Sequence, residues 1–597
     1  MIRKDKKIYA DGTIKTQIRV VEGYRPGPGM PPKQRTIKNF GYLEDQTDQE
    51  AFLEMVKQFD KEQRKEAVTR IEVPATAKMY SEGNQRQNYG YKFLEAIYNS
   101  LKIDRFIKEY LKQKKSREKY PAEEIIKFLV IQRILAPDSK RTTIQKRDTL
   151  YGFNSDFELH DIYRALDLLA EMEIPIQQYI NEQIKEKIGR DLSLAFYGVT
   201  NYYFEKDFPD ETGLLRQRGV SKEHRVDPIV QMGMFIDGKG LPVCMSLFPG
   251  NTSDSVTLLP SMKMIKESYG FGRLIVVADK GMNSGRNLDE ICNNGDGYVV
   301  SQIIRGTKGK RYHAYIADEI GWIENEEKTY KYKLFEEEYE GFDSSRKKIT
   351  RCRKVLLYWN QADAKMASRK REEKLEKAVK SAGNNVYSIA KGVEEYSKVN
   401  IVNKDTGELI ENPKKVLSVD FEKAEKDAKF DAYFCIITSE LDYSENQIRS
   451  IYGGLWKIEQ SFRILKSDLY ARPVFVSSQL HIKAHFLICF ISLLVVRLLQ
   501  YRMGENALSP ERISTALNCA TCQVLRGGII HLDDVGGSIA FVKKLNNKGV
   551  LVDTLKFSSE DQIAGDYKLI QNTFHSAFYD AYPKQEVFNK FLNNLSI

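Results

Sequence analysis

Leu194-Ala195-Phe196-Tyr197-Gly198-Val199-Thr200 is a short, continuous apolar run with the length of a buried strand. Two further runs, Ile229 to Ile236 and Leu241 to Leu247, flank Asp237-Gly238-Lys239-Gly240, which reads as the turn of an antiparallel hairpin. A helical stretch at about 255–268 follows. Then comes Arg273-Leu274-Ile275-Val276-Val277-Ala278-Asp279, a fourth strand ending on a carboxylate. Three strands, a helix and a fourth strand form the opening of a ribonuclease-H-like α/β core, and the order of elements alone carries that expectation.

Outward from this core, residues 1–45 read as a small N-terminal β unit: Ile18, Val20, Ile37 and Phe40 sit in strand-like runs around Arg25-Pro26-Gly27-Pro28-Gly29. Residues 86–190 change to helical period, with Phe93, Ile97 and Leu101, then Ile126, Leu129, Val130 and Ile134. Pro121 suits a helix start and Pro137 a helix stop. The basic text after it, including Lys140 and Arg141, suits a DNA-contacting edge, and equally a solvated helix face. The core, begun over residues 191–300, is interrupted by charged strand-and-turn text at 301–429, read as a β-rich insertion, and resumes over 430–505. Residues 506–597 carry no readable motif.

Composition excludes little. With 597 residues, 42% hydrophobic and 29% charged, the chain is an ordinary multi-domain globular protein. Its 92 basic and 82 acidic residues give a net charge of +10, a mild bias compatible with phosphate partners. Seven scattered cysteines argue against a disulfide framework and for a reducing, cytoplasmic setting. Phe486 to Val496, the most apolar segment, is shorter than the ~20 residues of a membrane span and reads as a buried core helix, so no membrane partner is expected.

The chemistry concentrates in Tyr452-Gly453-Gly454-Leu455-Trp456-Lys457-Ile458-Glu459-Gln460-Ser461-Phe462-Arg463-Ile464-Leu465-Lys466. At helical spacing Leu455, Ile458, Phe462, Leu465 and Leu469 form one apolar stripe. Tyr452, Trp456, Glu459, Arg463 and Lys466 form a second edge beside it. Alone, Glu459 and Arg463 could be a surface ion pair at i, i+4. The functional reading has Glu459 binding a metal while Arg463, Lys466 and Tyr452 hold phosphates. Asp279, which also ends a core strand, adds weight to it.

Taken together these segments resemble the bacterial insertion-sequence transposases of the Asp-Asp-Glu (DDE) class, in the group whose last motif is Y-x2-R-x3-E-x6-K. Tyr452, Glu459 and Lys466 match, while Leu455 stands where that pattern has arginine. Val277-Ala278-Asp279-Lys280-Gly281 resembles the second-Asp motif. Tyr197-Gly198-Val199-Thr200 resembles the first, which normally reads Tyr-Asp-Val-Thr. The segment Leu135 to Arg141 and Arg472-Pro473-Val474 match as well. The resemblance implies a homodimer in the DNA complex, acting on the element's double-stranded terminal repeats and on target DNA. It implies two divalent ions, Mg²⁺ with Mn²⁺ as a substitute, held by three carboxylates, here Asp279, Glu459 and the first position. Trp322, in the insertion, could stack on a flipped base, although a structural tryptophan is the commoner case. Lys308, Lys310 and Arg311, in the basic loop entering the insertion, are candidates for phosphate contact.

Position 198 departs from the family. Glycine has no side chain to ligate a metal, and inside an apolar strand it loses packing and costs entropy. Glu205 lies at an odd offset in the strand, Asp237 reads as a solvated turn residue, and Asp254 reads as a helix cap. None replaces the missing aspartate. The expectation is a transposase that binds DNA and cleaves it poorly. Its rivals are an active enzyme with another third ligand and a DNA-binding regulator without cleavage. His481 and His485, at i, i+4, lack the glutamate of a metalloprotease helix.

Overall fold

A computed structural model describes residues 2–9, 11–24, 33–65, 86–115, 120–205, 208–222, 226–269, 272–306, 309–382, 397–401, 415–525, 528–533, 535, 540–545, 551–556, 562–575, 578 and 580–596. The chain forms two compact units, Met1–Glu82 and Gly83–Ile597.

In the first unit the strands Ile2–Ile8, Ile14–Tyr24 and Lys33–Tyr42 make an antiparallel sheet. The helix Gln49–Lys65, which strand patterning alone did not bring out, seats Phe52 and Val56 on Ile18 and Val20. Ile37 stays 40% exposed and is no part of that core.

The second unit is built on a nine-stranded sheet. Five strands, filling one end of the sheet to its edge, run in the order Gly297–Gln302, Ile275–Ala278, Leu194–Tyr203, Ile229–Asp237, Pro242–Pro249. The first three of these are mutually parallel, and the hairpin of the last two joins antiparallel. The crossover from hairpin to parallel strands carries the helix Asp254–Tyr269. This is the order of elements the sequence predicted. Alternation assigns the two faces: Tyr197, Val276 and Tyr298 pack in one apolar core, while Phe196, Val277 and Val299 pack in the other.

Within 301–429, Ser397–Ile401 and Lys415–Val419 pair in a separate two-stranded sheet. The segment's long ribbon, Tyr330–Phe342 and Lys348–Asn360, pairs with Tyr433–Thr438, which pairs with Gly297–Gln302, so the ribbon extends the core sheet. The helix Gln361–Ala382 follows it.

Helices cover the sheet face that carries Gly198. Gln479–Met503 is long and apolar enough to cross a membrane, yet its apolar stretch is mostly buried inside the fold. The helices Tyr91–Ser100, Ala122–Leu135, Leu159–Glu171 and Glu173–Ile188 pack around it. The C-terminal residues join this same body. Thr521–Leu525 pairs with Gln87–Asn88, and Tyr567 donates a hydrogen bond to Tyr89 at 3.3 Å.

Candidate catalytic cleft

Three sequence positions converge on one face. Gly198 lies in register with Phe196, Thr200 and Tyr202, toward the helix Trp456–Ser467. Asp279 follows Ile275 and Val277, which point to the same side. On the helix, Leu455, Ile458, Phe462, Leu465 and Leu469 are all buried, and this stripe turns Glu459 and Arg463 outward. The result is a cleft of about 410 Å³ lined by Gly198, Asp279 and Glu459, with Arg463, Lys466 and Arg472 along its edge. No ion pair joins Glu459 to Arg463 among the described residues.

Tyr452 stands on the other flank of Asp279, in an adjoining cleft of about 600 Å³ that runs toward the insertion. Burial raises its phenol pKa, and the charges of Asp279 and Glu459 add to the effect. Burial pulls the Lys466 ammonium down to about 8, with the charge of Lys222 contributing. Lys222, Thr200, Asp254 and Arg472 also line the main cleft, although sequence reasoning gave them no role there.

Other candidates move. Lys140 is not on an exposed basic edge: the short helix Lys140–Gln145 turns it inward, 7% exposed, and burial lowers its pKa to about 7. Arg141 is the exposed one of that pair. Asp237 is not a solvated turn residue. It is 1% exposed, lies 3.3 Å from Arg190 Nε, and accepts the backbone N–H groups of Lys239 and Leu241. Asp254 is the first helical residue, and its carboxylate meets Lys222 Nζ at 3.3 Å inside the cleft. Trp322 is half-buried, with its indole N–H on the Asp318 carbonyl at 2.9 Å. Lys331 and Lys333 sit 4.9 and 5.1 Å from its ring centre. Lys310 and Arg311 are exposed at the start of the helix Lys310–Ala317, away from the cleft lining, and Lys308 lies outside the described residues. His481 pairs with Asp167 at 3.1 Å, while the buried His485 ring meets the Ala471 carbonyl at 3.1 Å, so the two have separate partners.

The donor set is short of one carboxylate for the three-carboxylate metal site. Asp279 and Glu459 are in the cleft, but Gly198 offers no oxygen. Among the described residues no group of three or more His, Cys, Asp or Glu side chains is placed to hold a metal. Asp254, the other carboxylate of the cleft, is engaged by Lys222. The residues present therefore do not fit the family's complete site.

The cleft thus gathers Asp279 and Glu459 with Arg463, Lys466 and Arg472. Residues 217–495 match the family described as Transposase DDE domain, a span that begins after Gly198 and includes Asp279 and Glu459. Residues 2–70 match the IS1634 family transposase N-terminal domain. The chain belongs to the bacterial insertion-sequence transposases of the DDE class. No curated protein matches its sequence. Among solved structures it is similar to the Mos1 transposase paired-end complex with left transposon end, at 10% identity and a TM-score of 0.14, covering 44% of this chain and 68% of that one.

Proposed function

We propose that this chain binds the double-stranded ends of its insertion element through the basic-edged cleft, as a homodimer on DNA, and that its strand-cutting centre is impaired at Gly198. The observation that carries this reading is the convergence of Gly198, Asp279 and Glu459 on one cleft, with glycine at the position where the strand faces the glutamate helix. Asp279 and Glu459 are the surviving acids, and they would supply two of the three ligands for Mg²⁺ or Mn²⁺. Arg463, Lys466 and Tyr452 hold phosphates on either side of them, and the exposed Arg141, Lys310 and Arg311 supply further phosphate contacts.

The alternative use, a DNA-binding regulator that no longer cuts, is favoured by one feature. A Cβ at position 198 would meet Phe462 and Ile458 at 3.0–3.3 Å, so apolar atoms crowd the place of the absent carboxylate. A mobility-shift assay with the DNA flanking the gene tests the proposal. Specific retention of the ends without nicks in Mg²⁺ is expected. Absence of specific retention, or efficient nicking by the unaltered chain, contradicts it.

A further inference from the structure

A second, larger groove of about 710 Å³ lies on the opposite flank of the glutamate helix. Arg463 and Ser467 line both depressions, so the groove and the catalytic cleft meet at the helix surface. Lys239, Lys457, Arg463 and Arg497 supply its positive charge, and none of the four has a carboxylate partner among the described residues. Lys239 Nζ rests on the carbonyls of Ile188 and Gly189 at 2.9 Å, and Lys457 Nζ on that of Gly238 at 2.6 Å. Arg497 donates to Gln460 and Ser461 at 3.1 and 3.0 Å and to Gln500 at 3.1 Å, and its buried Nε has no partner. Two acids, Asp468 and Glu511, line the same groove without pairing to any of these cations.

Four cations against two acids leave the concavity with a net positive charge, which an anion relieves. The helix Pro510–Cys519 adds the positive end of its dipole, because its first residues also line the groove. The aromatic surface narrows the class of anion. Trp456 is 57% exposed and Tyr501 40% exposed, both on this groove, with Lys239 Nζ 5.3 Å from the Tyr501 ring centre. Exposed ring faces beside a cationic track suit unpaired bases on a single strand, since a duplex keeps its base faces stacked inside.

We infer that this groove binds the single DNA strand that continues out of the catalytic cleft, with phosphates on Lys239, Lys457, Arg463 and Arg497 and bases against Trp456 and Tyr501. The inference rests on the proposed reading of the cleft as the DNA-handling site, and it adds a second binding site and the form of DNA that fills it. The catalytic cleft meets the strand at the reacting phosphate. The groove holds the nucleotides beyond it and so fixes the direction in which the strand leaves.

The test is fluorescence anisotropy with the full chain and an element-end duplex, either blunt or carrying a six-nucleotide 3′ or 5′ single-stranded extension. One extension should tighten binding by about fivefold or more, the order of one stacked base. Trp456→Ala, a substitution at an exposed side chain, should remove most of that gain while blunt-end binding is kept. Lys239→Ala with Lys457→Ala should also remove it and shrink the salt slope by about 1.4, two single-strand phosphates. The doubly arginine-substituted version should keep the gain. If neither extension tightens binding, if the alanine variants retain the gain, or if the arginine version loses it too, the inference is overturned and the proposed function stands. If the unaltered chain does not bind the blunt end specifically, both fall.

Discussion

Gly198 lies against the ring of Phe462: a Cβ at position 198 would sit 3.0 Å from Phe462 Cε2 and 3.2 Å from Ile458 Cδ1. The apolar stripe that holds Glu459 in place thus closes over the position proposed to have lost a carboxylate. Gly198→Asp must shift the edge of that ring by a few tenths of an ångström. It also places a third negative charge in the cleft that holds Asp279 and Glu459. In EDTA the variant is expected to melt a few degrees below the unaltered chain. Mg²⁺ or Mn²⁺ should raise its melting temperature well above the EDTA value, while leaving the Gly198 chain nearly unchanged. Equal metal stabilisation of both proteins in thermal melts would show that position 198 is no ligand.

Lys466 should make DNA binding pH-dependent. Burial and Lys222 lower its pKa to about 8, so it loses its proton as pH rises from 7 to 9, where an ordinary lysine remains charged. A phosphate partner needs the charged form. Affinity for element-end DNA should therefore fall severalfold over that interval at constant salt, and Lys466→Arg should flatten the profile. A binding titration showing the same slope in both proteins would remove Lys466 from the phosphate contacts.

Lys140 carries a stability prediction of opposite practical sign. Its pKa falls from 10.5 in the unfolded chain to about 7 in the fold, chiefly through burial and secondarily through Arg133. Below pH 7 both states are protonated and the fold bears the full cost of a buried charge. As pH rises from 7 to 10.5 the unfolded state binds more protons, and the cost disappears. Lys140→Met should raise stability by on the order of 1–4 kcal/mol at pH 6 and by much less at pH 10, read from denaturant unfolding at the two values.

Arg190 and Asp237 form a buried pair at the hairpin turn, with side chains 0% and 1% exposed. Burial lowers the arginine's pKa and raises the carboxyl's, and each charge limits the other's shift. Arg190→Met leaves Asp237 uncompensated and should cost about 3–5 kcal/mol. Adding Asp237→Asn, which keeps an oxygen to accept the turn N–H groups, should recover part of that loss. A single substitution with no effect on the urea midpoint would contradict this account.

The order of the core strands was legible because apolar runs of strand length alternate with an unmistakable hairpin turn and a helix. The glutamate helix was legible because its stripe has a period of 3.6, and that period fixed which side chains would be buried. Three things were hidden, each for a physical reason. The ribbon Tyr330–Phe342 and Lys348–Asn360 reads as exposed charged text because one side faces solvent, and only its pairing with Tyr433–Thr438 reveals that it extends the core. Lys140 and Asp237 look solvated in one dimension because charge predicts exposure unless a partner or a helix turns the residue inward. The second groove joins residues at 239, 457, 497 and 510, which are neighbours only once the long apolar helix has packed beside the glutamate helix.

The most direct measurement is an excision assay in cells, with the DNA flanking the gene as donor, comparing the chain carrying Gly198 with its Gly198→Asp version. Excision by the Gly198→Asp version alone is the predicted result, and it would assign Asp279 and Glu459 as the other two acids of the centre. Equal excision by the Gly198 chain would mean that another residue completes the site, and would contradict the account.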